Sequence, residues 1–153
     1  MSPSAAHRWL GAAAFGLPAL VVAVAVAVAL SGGLADVGEQ WALVAAAAAV
    51  GAAVGAAEAP RLATDHPGLR GVARVTAVAF LASVVLAGAA AGVAVGLGES
   101  GLASGLIAAQ EEFATWLGFG LVCGSLLYLP VVAAWATVGV ALFAVGLRRR
   151  RAA

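Results

Sequence analysis

The chain has no lysine, one cysteine, one tyrosine, two histidines and only 10% charged residues in a length of 153. Each shortage excludes a class of protein. A lone cysteine, Cys123, closes no intramolecular disulfide and builds no thiolate cluster, and His7 and His66 are too few to complete a metal-ligand set, so no metal or cofactor is expected. A net charge of +1 leaves no broad basic footprint, so nucleic acid is not an expected partner. Charge this sparse cannot cover a soluble globule of this size, and a lipid bilayer is the solvent that fits.

What is present agrees with that. Hydrophobic residues make up 64% of the chain, and the mean hydropathy is +1.08. The charged residues fall between or beside apolar runs, which is the arrangement of membrane spans and their connections. All eight basic residues are arginine. Together with the abundance of Ala, Gly and Val, this suggests a GC-rich prokaryotic genome and a multi-pass protein of the plasma membrane.

The organising stretch is 41–97, in which two apolar runs are joined by a connection carrying Arg61, Arg70 and Arg74. Before it, residues 9–30 form a first apolar run that reaches roughly 33 Å as a helix, enough for a hydrocarbon core of about 30 Å. That length favours a permanent anchor over a secretory signal, whose apolar region is usually about 7 to 15 residues. Pro18 predicts a bend within it. Asp36 with Glu39 resembles a capping box and predicts a second span over 37–59, ending before Pro60. The cytoplasmic connection is placed at 60–71, with a turn at Asp65-His66-Pro67-Gly68. The third span is placed at 72–97.

Residues 98–112 form an outer segment containing Glu99, Glu111 and Glu112 and no cation. Leu102, Leu106 and Ile107 give it an apolar face suited to a surface-lying or upward-extended helix. The last run, 113–147, would be roughly 52 Å long as one helix, more than a single crossing needs. Two readings follow. Either it is one long bent helix whose crossing lies within 116–147, or it turns back at Pro130 and crosses twice. The second would place a turn with almost no polar side chain in lipid, leaving backbone groups unpaired.

Arginine then orients the chain. With four spans, Arg8, the three arginines of the connection and Arg148 to Arg151 share one side, and Asp36, Glu39, Glu99, Glu111 and Glu112 share the other. Both termini are therefore expected in the cytoplasm. Trp9, Trp41 and Trp116 fall near span edges, as an aromatic belt requires, whereas Trp135 does not.

Several patterns inside the spans bear on function. Gly88, Gly92 and Gly96 are spaced by four, as are Gly51 and Gly55, which is the signature of helices in close backbone contact. Gly118, Ser125, Val132, Gly139 and Gly146 recur every seven residues and are expected to line a left-handed crossing, with Gly139 among the packing positions. Ser125, Tyr128 and Trp135 gather near Pro130 and form a candidate small-ligand site, set against a bent helix whose hydroxyls bond their own backbone.

No ionisable group lies near the centre of a span, which argues against a self-contained ion pump. Glu58 and Arg61 are expected to pair at a membrane edge. The neighbours Asp65 and His66, and Glu111 and Glu112, lack an accompanying nucleophile, so no catalytic residue is assigned. Arg70, Arg74, Arg148, Arg149, Arg150 and Arg151 are read as anchors to lipid headgroups.

These observations define an all-α integral membrane bundle of four transmembrane helices, with residues 1–153 as a single membrane domain. The expected role is a small non-catalytic accessory or structural subunit that works through helix packing. Its partners would be membrane lipids and either another membrane protein or a second copy of itself. The alternative is a small homo-oligomeric transporter or channel.

Overall fold

A computed structural model describes residues 3–31, 41–64 and 68–152. Among these residues the chain is helical almost throughout. The helices are α1 (Pro3–Ser31), α2 (Trp41–Thr64), α3 (Leu69–Gly98), α4 (Leu102–Leu127) and α5 (Leu129–Ala152). Alanine and leucine favour helix intrinsically. Lipid imposes it on glycine and valine as well, because a helix pairs every interior backbone group within its own segment. Three stretches are long and apolar enough to cross a membrane: Ala5–Ala29, Leu69–Gly98 and Leu129–Arg150. By length and composition this is a membrane protein.

Several expected boundaries change. α1 begins at Pro3 rather than residue 9, since proline suits a first turn whose N–H has no helical acceptor. α2 does not stop before Pro60 but runs through it to Thr64. Proline there removes only its own amide, and the end of the helix is tied back by Thr64 Oγ1, which donates to Arg61 O at 2.9 Å. α2, placed at 37–59 from the sequence, is not among the three apolar stretches found in the described residues. The Asp36 and Glu39 cap and the turn residues Asp65, His66 and Pro67 lie outside the described residues.

The connection expected over 60–71 shrinks to the few residues between Thr64 and Leu69. The outer segment at 98–112 is largely the start of α4, which opens after an extended Gly101 (φ −142°, ψ 146°) and continues without a break to Leu127. The last apolar run does not turn back at Pro130. It is divided at Tyr128, and the apolar stretch assigned to 116–147 falls instead at Leu129–Arg150. Tyr128 keeps helical dihedrals (φ −96°, ψ −34°). Its N–H donates to Gly124 O at 2.8 Å, and its carbonyl accepts from Val132 N–H at 3.0 Å. Pro130 cannot donate to Leu126 O, so one bond is lost while its neighbours persist.

The chain, read from sequence as one domain, groups into two compact units: Met1–Ala79 with Ala133–Ala153, and Phe80–Val132. In the first, α1 and α2 run antiparallel. Gly11 meets Gly55 and Ala59, Gly16 meets Ala52, and Gly51 meets Ala19. α5 is antiparallel to α1, with Gly139 against Phe15 and Gly146 against Leu10. Phe15 and Phe143 are fully buried at the centre of this unit. In the second unit, residues 80–98 of α3 run antiparallel to α4, with Phe80 beside Gly124, Val84 beside Gly120, Gly88 beside Phe113 and Gly96 beside Gly105.

In both units glycine and alanine lie at the helix contacts, while large residues such as Val21, Val26, Leu86, Val93, Val138 and Leu142 are exposed. That reversal of the soluble pattern follows from the solvent. Lipid is as apolar as leucine, so close backbone approach becomes the main attraction between helices.

Candidate functional site

The most polar cluster among the described residues sits in the first unit, where α2 meets the start of α3. Because α2 continues past Pro60, Arg61 falls three residues after Glu58 on the same face. Arg61 Nη1 donates to Glu58 Oε1 at 2.9 Å. From α3, Arg74 Nε lies 2.9 Å from the other oxygen, Oε2. Its N–H is not aligned on that oxygen, so this half of the bridge is charge pairing without a well-formed hydrogen bond. Glu58 itself is only 3% exposed.

Cations from two separate helices compensate the buried carboxylate, since an isolated charge there would be strongly disfavoured. The Glu58–Arg61 pair was legible in the sequence. The Arg74 partner was not, because it depends on how α3 packs against α2. Nearby in α3, Thr76 Oγ1 is buried and makes no hydrogen bond among the described residues.

The second polar contact between helices is made by Trp135. Its Nε1–H donates to Phe15 O at 2.9 Å, and the two rings meet edge to face at 5.5 Å. This accounts for the tryptophan that fits no aromatic belt. Trp9, Trp41 and Trp116 are all exposed, and Trp116 donates to Glu112 Oε1 at 2.7 Å.

Ser125, Tyr128 and Trp135 are divided between the two units. Trp135 belongs to the first unit and has its only N–H donor engaged by Phe15. Ser125 and Tyr128 belong to the second. Ser125 Oγ donates to Val122 O at 2.8 Å, one turn back in its own helix, and Thr137 Oγ1 does the same to Ala133 O. Tyr128 is half exposed, with its ring 6.5 Å from that of Phe80. Local bonding takes these hydroxyls because in an apolar medium the nearest carbonyl is the preceding turn.

The glycines spaced by four, together with Gly139, each have a definite neighbour. A methyl group added at Gly92 would sit 2.6 Å from Ala109 O, at Gly96 2.8 Å from Gly105 O, at Gly88 3.1 Å from the Phe113 ring and at Gly51 2.7 Å from Ala19. Gly55 and Gly139 are closer still, to Gly11 and Phe15. The sequence reading overlooked their counterparts Gly11, Gly105, Gly120 and Gly124, although the last two share the spacing of four.

The stripe of period seven does not hold as one face. Gly118 has open space where a side chain would be, whereas Gly139 and Gly146 are packed, and they belong to different units. Arg70, Arg148, Arg149 and Arg150 are exposed, and Arg150 Nη1 donates to Ala6 O at 3.2 Å. The side chain of Arg151 lies outside the described residues. Among the described residues no group of three His, Cys, Asp or Glu side chains converges as a metal site would. Comparison with protein-family models, curated proteins and solved structures found no match for this chain.

Proposed function

We propose that the protein is a small non-catalytic subunit of a prokaryotic plasma membrane, acting through helix packing with another membrane protein or with itself. The observation that supports it most directly is how the polar groups are used. Glu58 is paired by Arg61 and Arg74, Trp135 holds Phe15, and the hydroxyls of Ser125 and Thr137 serve their own helices. A carrier needs polar groups left available along a path, and a catalyst needs them converging on a substrate.

In this reading α1, α2, α3 and α5 make four crossings, with α2 carried by its neighbours despite its weak apolarity. Both termini face the cytoplasm. The contact of Arg150 with Ala6 supports a common side for the two ends, and the grouping of arginine supports the cytosol as that side. Arg70 and the tail Arg148 to Arg151 hold the cytoplasmic edge against anionic headgroups, at about 1 kcal/mol per residue. Glycine at the contacts lets the outer valine and leucine surface meet lipid or a neighbouring span.

The purified full-length chain in liposomes tests this. The expected result is no flux of protons, potassium or small anions above protein-free vesicles. Flux that disappears on Tyr128→Phe or Ser125→Ala would replace the subunit reading with a homo-oligomeric transporter or channel.

A further inference from the structure

Two guanidinium groups from different helices converge on one carboxylate, and one of them exceeds what neutrality requires. Glu58 balances a single positive charge, so Glu58, Arg61 and Arg74 together carry +1. The charges are also sorted by depth. The glutamate side chain is 4% exposed, while those of Arg61 and Arg74 are 60% and 43% exposed. Each guanidinium carries five N–H donors, and each brings one nitrogen to Glu58, through Nη1 in Arg61 and Nε in Arg74. Both side chains keep a large exposed fraction beyond that contact.

The surroundings add charge of the same sign. Arg70 stands one turn before Arg74 on the same face of α3 and is exposed. α3 itself begins here, its first turn closed by Val72 N–H to Gly68 O at 3.1 Å, with no acidic residue in that turn. A helix start carries partial positive charge and ordinarily favours an acid, so arginine at Arg70 adds to the field instead of offsetting it. The pair Glu58–Arg61 alone would satisfy the buried acid. Among the described residues, Arg74, Arg70 and the helix start leave an excess that calls for an external anion.

We propose that Arg61 and Arg74, held together by Glu58, form a receptor for a phosphate group, supplied either by the headgroup of an anionic phospholipid or by free phosphate. Planar guanidinium forks match the oxygens of a tetrahedral phosphate in a way that a point charge does not. Glu58 is the positioning residue, since without it the two cations would separate by mutual repulsion. The assignment stands independently of the packing role.

The test uses the full-length protein in neutral detergent, with native mass spectrometry reading bound mass on folded molecules only. The protein is titrated separately with dioleoylphosphatidylglycerol, dioleoylphosphatidylcholine and inorganic phosphate. One phosphatidylglycerol should bind at least roughly tenfold more tightly than phosphatidylcholine, whose phosphate is the same but whose choline cation offsets it and is repelled by the excess positive charge. The double variant Arg61→Gln with Arg74→Gln should lose that preference, while replacing Arg148 to Arg151 by glutamine should leave it.

Arg61→Lys with Arg74→Lys, which keeps charge and the pairing with Glu58, should weaken binding several-fold. Phosphatidylglycerol binding without phosphate binding assigns the site to lipid. Phosphate binding that needs both arginines assigns it to the free ion. The proposal is overturned if the wild type binds neither, if the glutamine double variant binds as well as the wild type, or if the lysine variant is indistinguishable from it.

Discussion

Trp135 of α5 donates its indole N–H to the carbonyl of Phe15 in α1, 2.9 Å away and 120 residues earlier in the chain. Interhelical attraction in lipid is mostly non-directional, and this bond, with the edge-to-face rings, selects one rotation of α5 against α1.

Trp135→Phe keeps an aromatic body and removes the donor. It should lower stability by about 0.6 to 1.5 kcal/mol, and Trp135→Ala by about 3 to 5 kcal/mol. Unfolding of the purified protein by titrated denaturing detergent measures both. Equal losses for the two variants would show that the hydrogen bond, not the ring, carries the contact.

Glu58→Ala removes the one negative charge between two arginines. Breaking a buried ion pair costs about 3 to 5 kcal/mol, but the exposed ends of Arg61 and Arg74 are screened by water, so about 1 to 3 kcal/mol is expected here. Arg61→Gln should cost under about 1 kcal/mol, because Arg74 still faces the acid. The same detergent titration reads the difference. An Arg61→Gln loss as large as that of Glu58→Ala would mean that Arg74 contributes nothing to holding the acid.

Gly92 and Gly118 are both helical glycines in the second unit, and they predict opposite behaviour. A side chain at Gly92 meets the Ala109 carbonyl, a backbone atom that cannot move aside, whereas Gly118 faces open space. Gly92→Leu should destabilise the isolated chain by at least about 1 to 3 kcal/mol, as overpacking does, and Gly118→Leu should stay within about 0.5 kcal/mol. If Gly92→Leu altered oligomer mass while leaving the stability of the single chain unchanged, this glycine row would belong to a seam between copies.

A cysteine added after Arg151, in a Cys123→Ala background, reports the side of the membrane. It should be protected from a membrane-impermeant maleimide applied to intact cells and become reactive once the cells are opened. Labelling in intact cells would reverse the orientation of every helix and remove the cytoplasmic anchoring assigned to the arginines.

Much of the local structure was legible in advance, and the exceptions share a cause. Long apolar runs announced helices, and spacings of four announced Gly51, Gly55, Gly88, Gly92 and Gly96 as residues without bulk on one face. Glu58 and Arg61, three residues apart, announced a pair. Pro60 misled because proline was read as a stop, while a helix held by its neighbours tolerates one missing donor near its end. The period of seven from Gly118 to Gly146 runs across two compact units, and only Gly139 and Gly146 of its glycines meet a neighbour.

Composition alone determined the solvent. With so few charges and so many aliphatic residues, the chain has to build helices that satisfy their own backbones, and the positions of arginine mark where those helices end. Which faces meet was decided only by tertiary packing. In a helix apolar on every side, hydrophobicity carries no directional information, so the meeting of Trp135 with Phe15 and of Arg74 with Glu58 follows from shape and polar pairing between segments far apart in the chain.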